Sequence, residues 1–237
     1  MVPCSVVELR QYTLHPARRG ELVQLFEREF IEPQEAARIR VLGQFEDLER
    51  PERFVWFRGF QDMAGRRESL SAFYDGRVWR THRDAANATM VDSDDVLLLR
   101  PLHPVDGFPR RARGAIGEPA SSRVLVRIFH RAPGVDDLPR FFRERVRPVL
   151  EGTGASPVAW LETEGAVNDF PRLPVRADAD VLVCISVLPD EHALRRHLAL
   201  LAADLHWADD VGPALRSRLR AEPEQLVLRP TPRSSLW

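Results

Sequence analysis

The chain contains no lysine: all 34 of its basic residues are arginine. Without a side-chain amine there is no Schiff base to a substrate or to pyridoxal phosphate, and no phosphate-cradling loop of the GxxxxGKS/T type. Cysteine is scarce as well. Cys4 and Cys184 are the two present and neither belongs to a CxxC pair, which excludes a disulfide framework and fits a reducing compartment. Neither sign of charge is in excess, the formal net charge being -1, so electrostatics gives no reason to expect nucleic acid or an anionic membrane as partner. Long hydrophobic runs are missing; the best, Asp180 to Leu188, is strand-sized. The opening Met1 to Glu8 lacks a basic region followed by an apolar run, so the expectation is a cytoplasmic protein.

Several chemical signatures are absent too. There is no GxSxG elbow, HExxH or dinucleotide GxGxxG, and Gly152-Thr-Gly154 follows a helical pattern without a third glycine. His192 and His197 do not share a helical face well, His15 and His103 flank prolines, and Asp92-Ser-Asp-Asp95 lacks the calcium-loop pattern. Neither a metal site nor a cofactor is expected.

What is present is a repeated pattern. Val6 to Leu14 reads as a strand, Arg18 to Glu32 as a helix ended near Pro33, and Arg38 to Asp47 and Arg53 to Phe60 as two strands. Asp62 is placed to cap a helix through Tyr74, a further helix runs from Arg77 to about Met90, and Val96 to Arg100 closes the unit as a strand. After Pro101 to Ser122, rich in proline and glycine and carrying Arg110-Arg-Ala-Arg113, the order recurs. It gives strand Arg123 to Arg131, helix Asp136 to Leu150, strands Ser156 to Glu164 and Asp180 to Val187, helix Glu191 to Leu205 and strand Gln225 to Arg229. Phe60-Gln-Asp62 echoes Leu188-Pro-Asp190, Trp79 echoes Trp207, and Leu99-Arg-Pro101 echoes Leu228-Arg-Pro230. The reading is α+β: two tandem ferredoxin-like βαββαβ halves, residues 1–101 and 123–237 about a linker at 102–122. Their antiparallel sheets pack into a pseudo-dimeric barrel, as a monomer or a homodimer.

Val7-Glu-Leu-Arg-Gln-Tyr-Thr-Leu-His-Pro16, with Phe54-Val-Trp-Phe-Arg-Gly-Phe-Gln-Asp62, Trp79 and the segment Tyr74 to Asp95, resembles the NIPSNAP family of the dimeric α+β barrel superfamily. Pro16-Ala17 stands where many members have Pro-Gly. The resemblance implies the barrel fold, and related barrels include cofactor-free monooxygenases, isomerases, cyclases and haem enzymes.

Strand alternation puts Glu8, Arg10 and Tyr12 on one face, beside Trp56 and Arg58 of the third strand, and this face is expected to line a cavity between the two sheets. There the arginines would hold an anionic or carbonyl oxygen, with Tyr12 as a donor and Trp56 as a wall. A Glu8–arginine network that merely satisfies itself is the other reading. Equivalent positions in the second half are Leu125, Arg127 and Phe129, facing Cys184 and Ser186, so that half is expected mainly to complete the wall. Trp79 and His82 share a helical stripe with Asn87 beside it, which makes His82 the general-base candidate. The functional expectation is a cofactor-independent small-molecule enzyme acting on a hydrophobic carbonyl-containing or enolisable substrate. Tyr12, His82, Arg10 and Arg58 would be catalytic, and Glu8, Trp56, Trp79, Asn87, Arg127, Cys184 and Ser186 would line the site. A non-catalytic binding or scaffold protein, or a haem enzyme using His82 or His130, are the alternatives.

Overall fold

The computed structural model describes residues 4–108 and 121–237. The Arg110 to Arg113 cluster lies outside them. Eight strands, β1 (Val6–Leu14), β2 (Arg40–Asp47), β3 (Arg53–Phe60), β4 (Met90–Pro101), β5 (Arg123–His130), β6 (Pro157–Thr163), β7 (Val181–Leu188) and β8 (Glu224–Pro230), form one closed antiparallel barrel in the order β1-β3-β2-β8-β5-β7-β6-β4. Within residues 6–101 the order is β4-β1-β3-β2, and within 123–230 it is β8-β5-β7-β6, the same order with each strand replaced by its counterpart. Pairing crosses between them at β2–β8, where Glu46 opposes Arg229, and at β4–β6, where Arg100 opposes Glu162. Both pairs form ion pairs, Arg100 Nη2 to Glu162 Oε1 at 2.7 Å.

Every strand sends alternate apolar side chains into the lumen, among them Val7 and Leu9, Val55 and Phe57, Leu97 and Leu99, Val124 and Val126, and Val183 and Ile185. Eight strands leave an interior that such side chains fill. The lumen is therefore an apolar core, and Phe108, from the segment read as linker, packs on Phe57 at 5.1 Å between ring centroids.

Helices cover the outside of the barrel: α1 over residues 19–36, α2 (Met63–Tyr74), α3 (Arg77–Asn87), α4 over residues 138–152, α5 (Glu191–Ala203) and α6 over residues 207–216. Asp62 and Asp190 cap α2 and α5 in the same way, each accepting the amide three residues on at 2.7 Å. Two expectations need correction. Pro33 does not end α1, which runs on to Ala36, and α6 was not foreseen. The two helices share a local feature. Phe26–Phe30, Phe142–Val146 and Trp207–Val211 are single π-helical turns, and each precedes a proline inside the helix: Pro33, Pro148 and Pro213. Proline clashes with the carbonyl four residues back; here that residue is Glu29, Glu144 or Asp209, each inside the widened turn, where the hydrogen-bond register has already shifted. The helix expected to reach Met90 stops at Asn87, and β4 starts at Met90 rather than at Val96. Ala17, in the turn after β1, sits at φ 63°, the left-handed conformation that favours glycine.

Candidate functional site

Glu8, Arg10 and Tyr12 do share one face of β1 with Trp56 and Arg58 opposite, in the expected register: Glu8 opposes Arg58 and Arg10 opposes Trp56. That face, however, looks out at the helices and not into the lumen. Phe26 of α1 stacks edge-on to Trp56 at 4.9 Å, and Arg66 and Tyr74 of α2 reach the same cluster. The inversion has a physical reason: a polar residue is unsuited to a helix-covered face only where nothing there compensates it. Glu8 is accommodated there by three guanidinium groups: Arg10 Nη1 and Arg58 Nε, each 2.7 Å from Oε2, and Arg66 Nε, 2.7 Å from Oε1. Burial alone would raise the pKa of Glu8, but Arg58, Arg10 and Arg66 together outweigh it and hold the carboxyl below its ordinary value.

Arg10 also donates to the Tyr12 hydroxyl at 2.9 Å, and Arg58 to the Tyr74 hydroxyl at 3.3 Å. Burial pushes the Tyr12 phenol up, with Arg10 opposing. Three arginines share one internal carboxylate, and Asp169, reaching Arg66 at 3.1 Å from the β6–β7 connection, is the other acidic group on them. Arg66 Nη2 and Trp56 Nε1 are buried without hydrogen-bond partners among the described residues.

At the corresponding register of β5 and β7 an arginine recurs without a carboxylate beside it. In register, Leu125 replaces Glu8, Arg127 matches Arg10, Cys184 stands in place of Trp56 and Ser186 in place of Arg58. Of the four buried arginines, Arg10, Arg58, Arg66 and Arg127, the last alone has no carboxylate within ion-pair distance among the described residues. Its Nη2 donates to His197 Nε2 at 2.8 Å. Guanidinium only donates, so Nε2 is the unprotonated nitrogen; Nδ1–H then donates to Thr153 Oγ1 at 2.9 Å, and that hydroxyl donates to the Val149 carbonyl at 2.9 Å. Burial and then the Arg127 charge push the His197 pKa down to about 4, leaving a neutral ring. Burial pushes the Cys184 thiol up to about 12, so it supplies no anion. Ser186 donates to the Ala155 carbonyl.

Arg127 Nη1 has no hydrogen-bond partner among the described residues, and Arg127 lines a cavity of about 250 Å3 between the sheet and α4, α5 and α6. Phe129, Leu150, Leu198, Leu201 and Trp207 make its apolar wall; Arg216, Glu222 and Gln225 are its other polar groups. This cavity lies beneath the helices of the second half and not between the sheets, and Cys184 and Ser186 do not line it. A surface groove of about 1050 Å3 beside α2, lined by Gly59, Ala64, Glu68 and Ala72, has no buried polar side chain unpaired on its wall.

The remaining candidates are dispersed. His82 sits on the outer layer, Nε2 3.5 Å from Glu29, and does not join Tyr12, Arg10 and Arg58. Asn87 is exposed, and Trp79 packs on Tyr74 at 4.8 Å. His130 Nε2 is 2.6 Å from Glu224. Neither His82 nor His130 lines the second-half cavity, so the residues there do not fit a haem ligated by either. The groups that sequence reasoning missed are Arg66, His197 and Asp169. The i, i+4 step from cap Asp62 could have found Arg66, whereas His197 and Asp169 reach their partners across 70 and 103 positions of chain.

No curated protein sequence matches this chain. Among solved structures, it is similar to an anthrone oxidase-like protein at 13% identity, covering 98% of this chain and 93% of that one, with a TM-score of 0.60. A protein of Lactobacillus acidophilus NCFM with a provisional monooxygenase designation matches at 10% identity over 99% of both chains, TM-score 0.59. A mutant chlorite dismutase from Candidatus Nitrospira defluvii matches at 12% identity over 98% of this chain and 93% of that one, TM-score 0.51. Identities this low establish the fold alone. No helix among the described residues is long and apolar enough to cross a membrane. Residues 7–104 match the NIPSNAP family model, so that stretch is similar to the family, and the chain as a whole shares the fold of the solved structures above.

Proposed function

We propose that this protein is a small-molecule enzyme that needs no cofactor, and that its substrate is a compact, largely apolar molecule presenting a carbonyl, enolate or carboxylate oxygen to Arg127. The observation that carries this reading is the unpartnered Nη1 of a buried arginine lining an otherwise mostly apolar cavity. A cation so placed interacts strongly with charge developing on an oxygen, because little water competes. His197 and Thr153 hold the guanidinium in place through its other nitrogen. Glu222, an exposed carboxylate on the same cavity wall, is the candidate to take a proton next to that carbonyl, giving an enolate on the substrate and a neutral Glu222. The two strand sets are read as duplicated ferredoxin-like halves, which closes the barrel within a monomer. One half retains the self-paired arginine cluster and the other has become the ligand site.

The test uses benzoate and benzyl alcohol as probes. Benzoate is expected to bind wild-type protein and to lose at least about tenfold in affinity in Arg127→Met, with the alcohol indifferent to the change. Equal binding of benzoate by both proteins would overturn the assignment. Glu222→Gln separates enzyme from binder: an enzyme loses turnover and keeps affinity, whereas the non-catalytic reading has no turnover to lose.

A further inference from the structure

The connection between β6 and β7, residues 164–180, is long for a compact domain, and it leaves its own half. It crosses onto the helix layer of the first half, where Leu173 and Val175 pack against that core and the Arg176 amide donates to the Val96 carbonyl at 2.9 Å. At its centre, Asn168 Oδ1 and Asp169 Oδ1 accept from Arg66 Nη1 at 3.0 and 3.1 Å. The adjacent Phe170 is buried with its ring 6.2 Å from that of Tyr74. Arg66 and Tyr74 are two turns apart on α2, so they form one face. A carboxylate and a benzene ring, side by side, are therefore pressed onto an arginine and a tyrosine. Beneath them lie Arg58 and Arg10, the Glu8 carboxylate that the three arginines share, and Arg66 Nη2, a donor with no hydrogen-bond partner among the described residues.

We propose that residues 164–180 form a strap whose Asp169 carboxylate and Phe170 ring occupy a first-half binding site for an aromatic carboxylate. The strap is an internal stand-in for the ligand: displaced, it exposes a face carrying more positive than negative charge, the free donor Nη2 of Arg66 and an aromatic wall in Tyr74. A ligand of this class replaces both contacts at once, whereas a simple inorganic anion replaces only the carboxylate. The site is independent of Arg127, which lies in the other half.

The experiment is run in an Arg127→Met background, so that the second-half cavity contributes no anion binding, and uses 3-phenylpropanoate followed by calorimetry. Asp169→Asn combined with Phe170→Ala is expected to bind the probe at least about tenfold more tightly than its parent. The gain should be absent for neutral 3-phenylpropanol and abolished by adding Arg66→Met. Unchanged affinity, or a gain that survives Arg66→Met, overturns the proposal. In the parent, with an intact strap, saturating 3-phenylpropanoate is expected to accelerate amide hydrogen exchange across residues 164–180. Exchange that is unchanged or slowed there also overturns it, whether or not the double variant folds.

Discussion

Replacing Glu8 by glutamine keeps the shape of the side chain and removes its charge, leaving Arg10, Arg58 and Arg66 packed together under α1 and α2. In the native protein each of the three has a nitrogen 2.7 Å or less from a Glu8 oxygen, and Glu8 itself is fully buried. Removing one partner from a buried ion pair costs about 3–5 kcal/mol, because the other charge stays in place. Here three charges stay, and Asp169, partly exposed, reaches only Arg66. The expected loss is therefore at the upper end, about 5 kcal/mol, out of a total stability on the order of 5–15 kcal/mol. Urea unfolding followed by circular dichroism should show the midpoint falling by about 2 M at an m-value near 2–3 kcal/mol/M. The same variant should alter the acid limb. Glu8 has a folded pKa held below its unfolded value, so its contribution is complete above about pH 4.5 and is lost as pH falls toward the lowered folded value. Glu8→Gln should flatten that part of the stability curve, and adding Arg66→Met should recover part of the loss by removing one uncompensated cation. A destabilisation under about 1 kcal/mol would refute the reasoning, since it would mean that the carboxylate does not balance the arginines.

His197, with a pKa depressed to about 4, contributes stability that is present above its unfolded pKa near 6.5 and lost as pH falls toward 4, by up to about 3 kcal/mol. His197→Gln should remove this slope from chemical denaturation curves taken across that window. Asp62→Ala and Asp190→Ala should each cost about 1 kcal/mol by loss of a helix cap, read as a lowered urea midpoint. Ala17→Gly should stabilise the protein by about 1 kcal/mol, because glycine accepts φ 63° without the steric cost that alanine bears.

Strand patterning was legible wherever alternation and turn residues coincided. β3 has the expected bounds, the two aspartate caps stand where the echo between Asp62 and Asp190 put them, and β1 and β3 pair Glu8 with Arg58 and Arg10 with Trp56. Which face of the sheet turned inward was not legible, because alternation defines two faces without labelling them. The label depended on whether Glu8 was matched by enough cations under the helices, and one of those, Arg66, comes from α2. Pro33 misled for a local reason: proline ordinarily stops a helix, and the π turn that admits it has no simple residue signature. The second-half cavity was half legible. Leucine in place of the carboxylate at Leu125 was visible and leaves Arg127 without an acid beside it, but the neutral partner of Arg127 comes from α5, 70 positions away.

Closure of the barrel leaves the sheet without a free edge. β2 and β4, the outer strands of the first set, are covered by β8 and β6, although each seam pairs only three residues, Phe45 to Asp47 on one side and Leu99 to Pro101 on the other. A first half expressed without the second would present two unpaired strand edges and one exposed wall of the lumen, with Val7, Leu9, Val55 and Phe57 in water. Such a fragment would be driven to self-associate, edge to edge and wall to wall. The second half thus acts as a permanently tethered partner that occupies the surfaces a stray copy would otherwise claim.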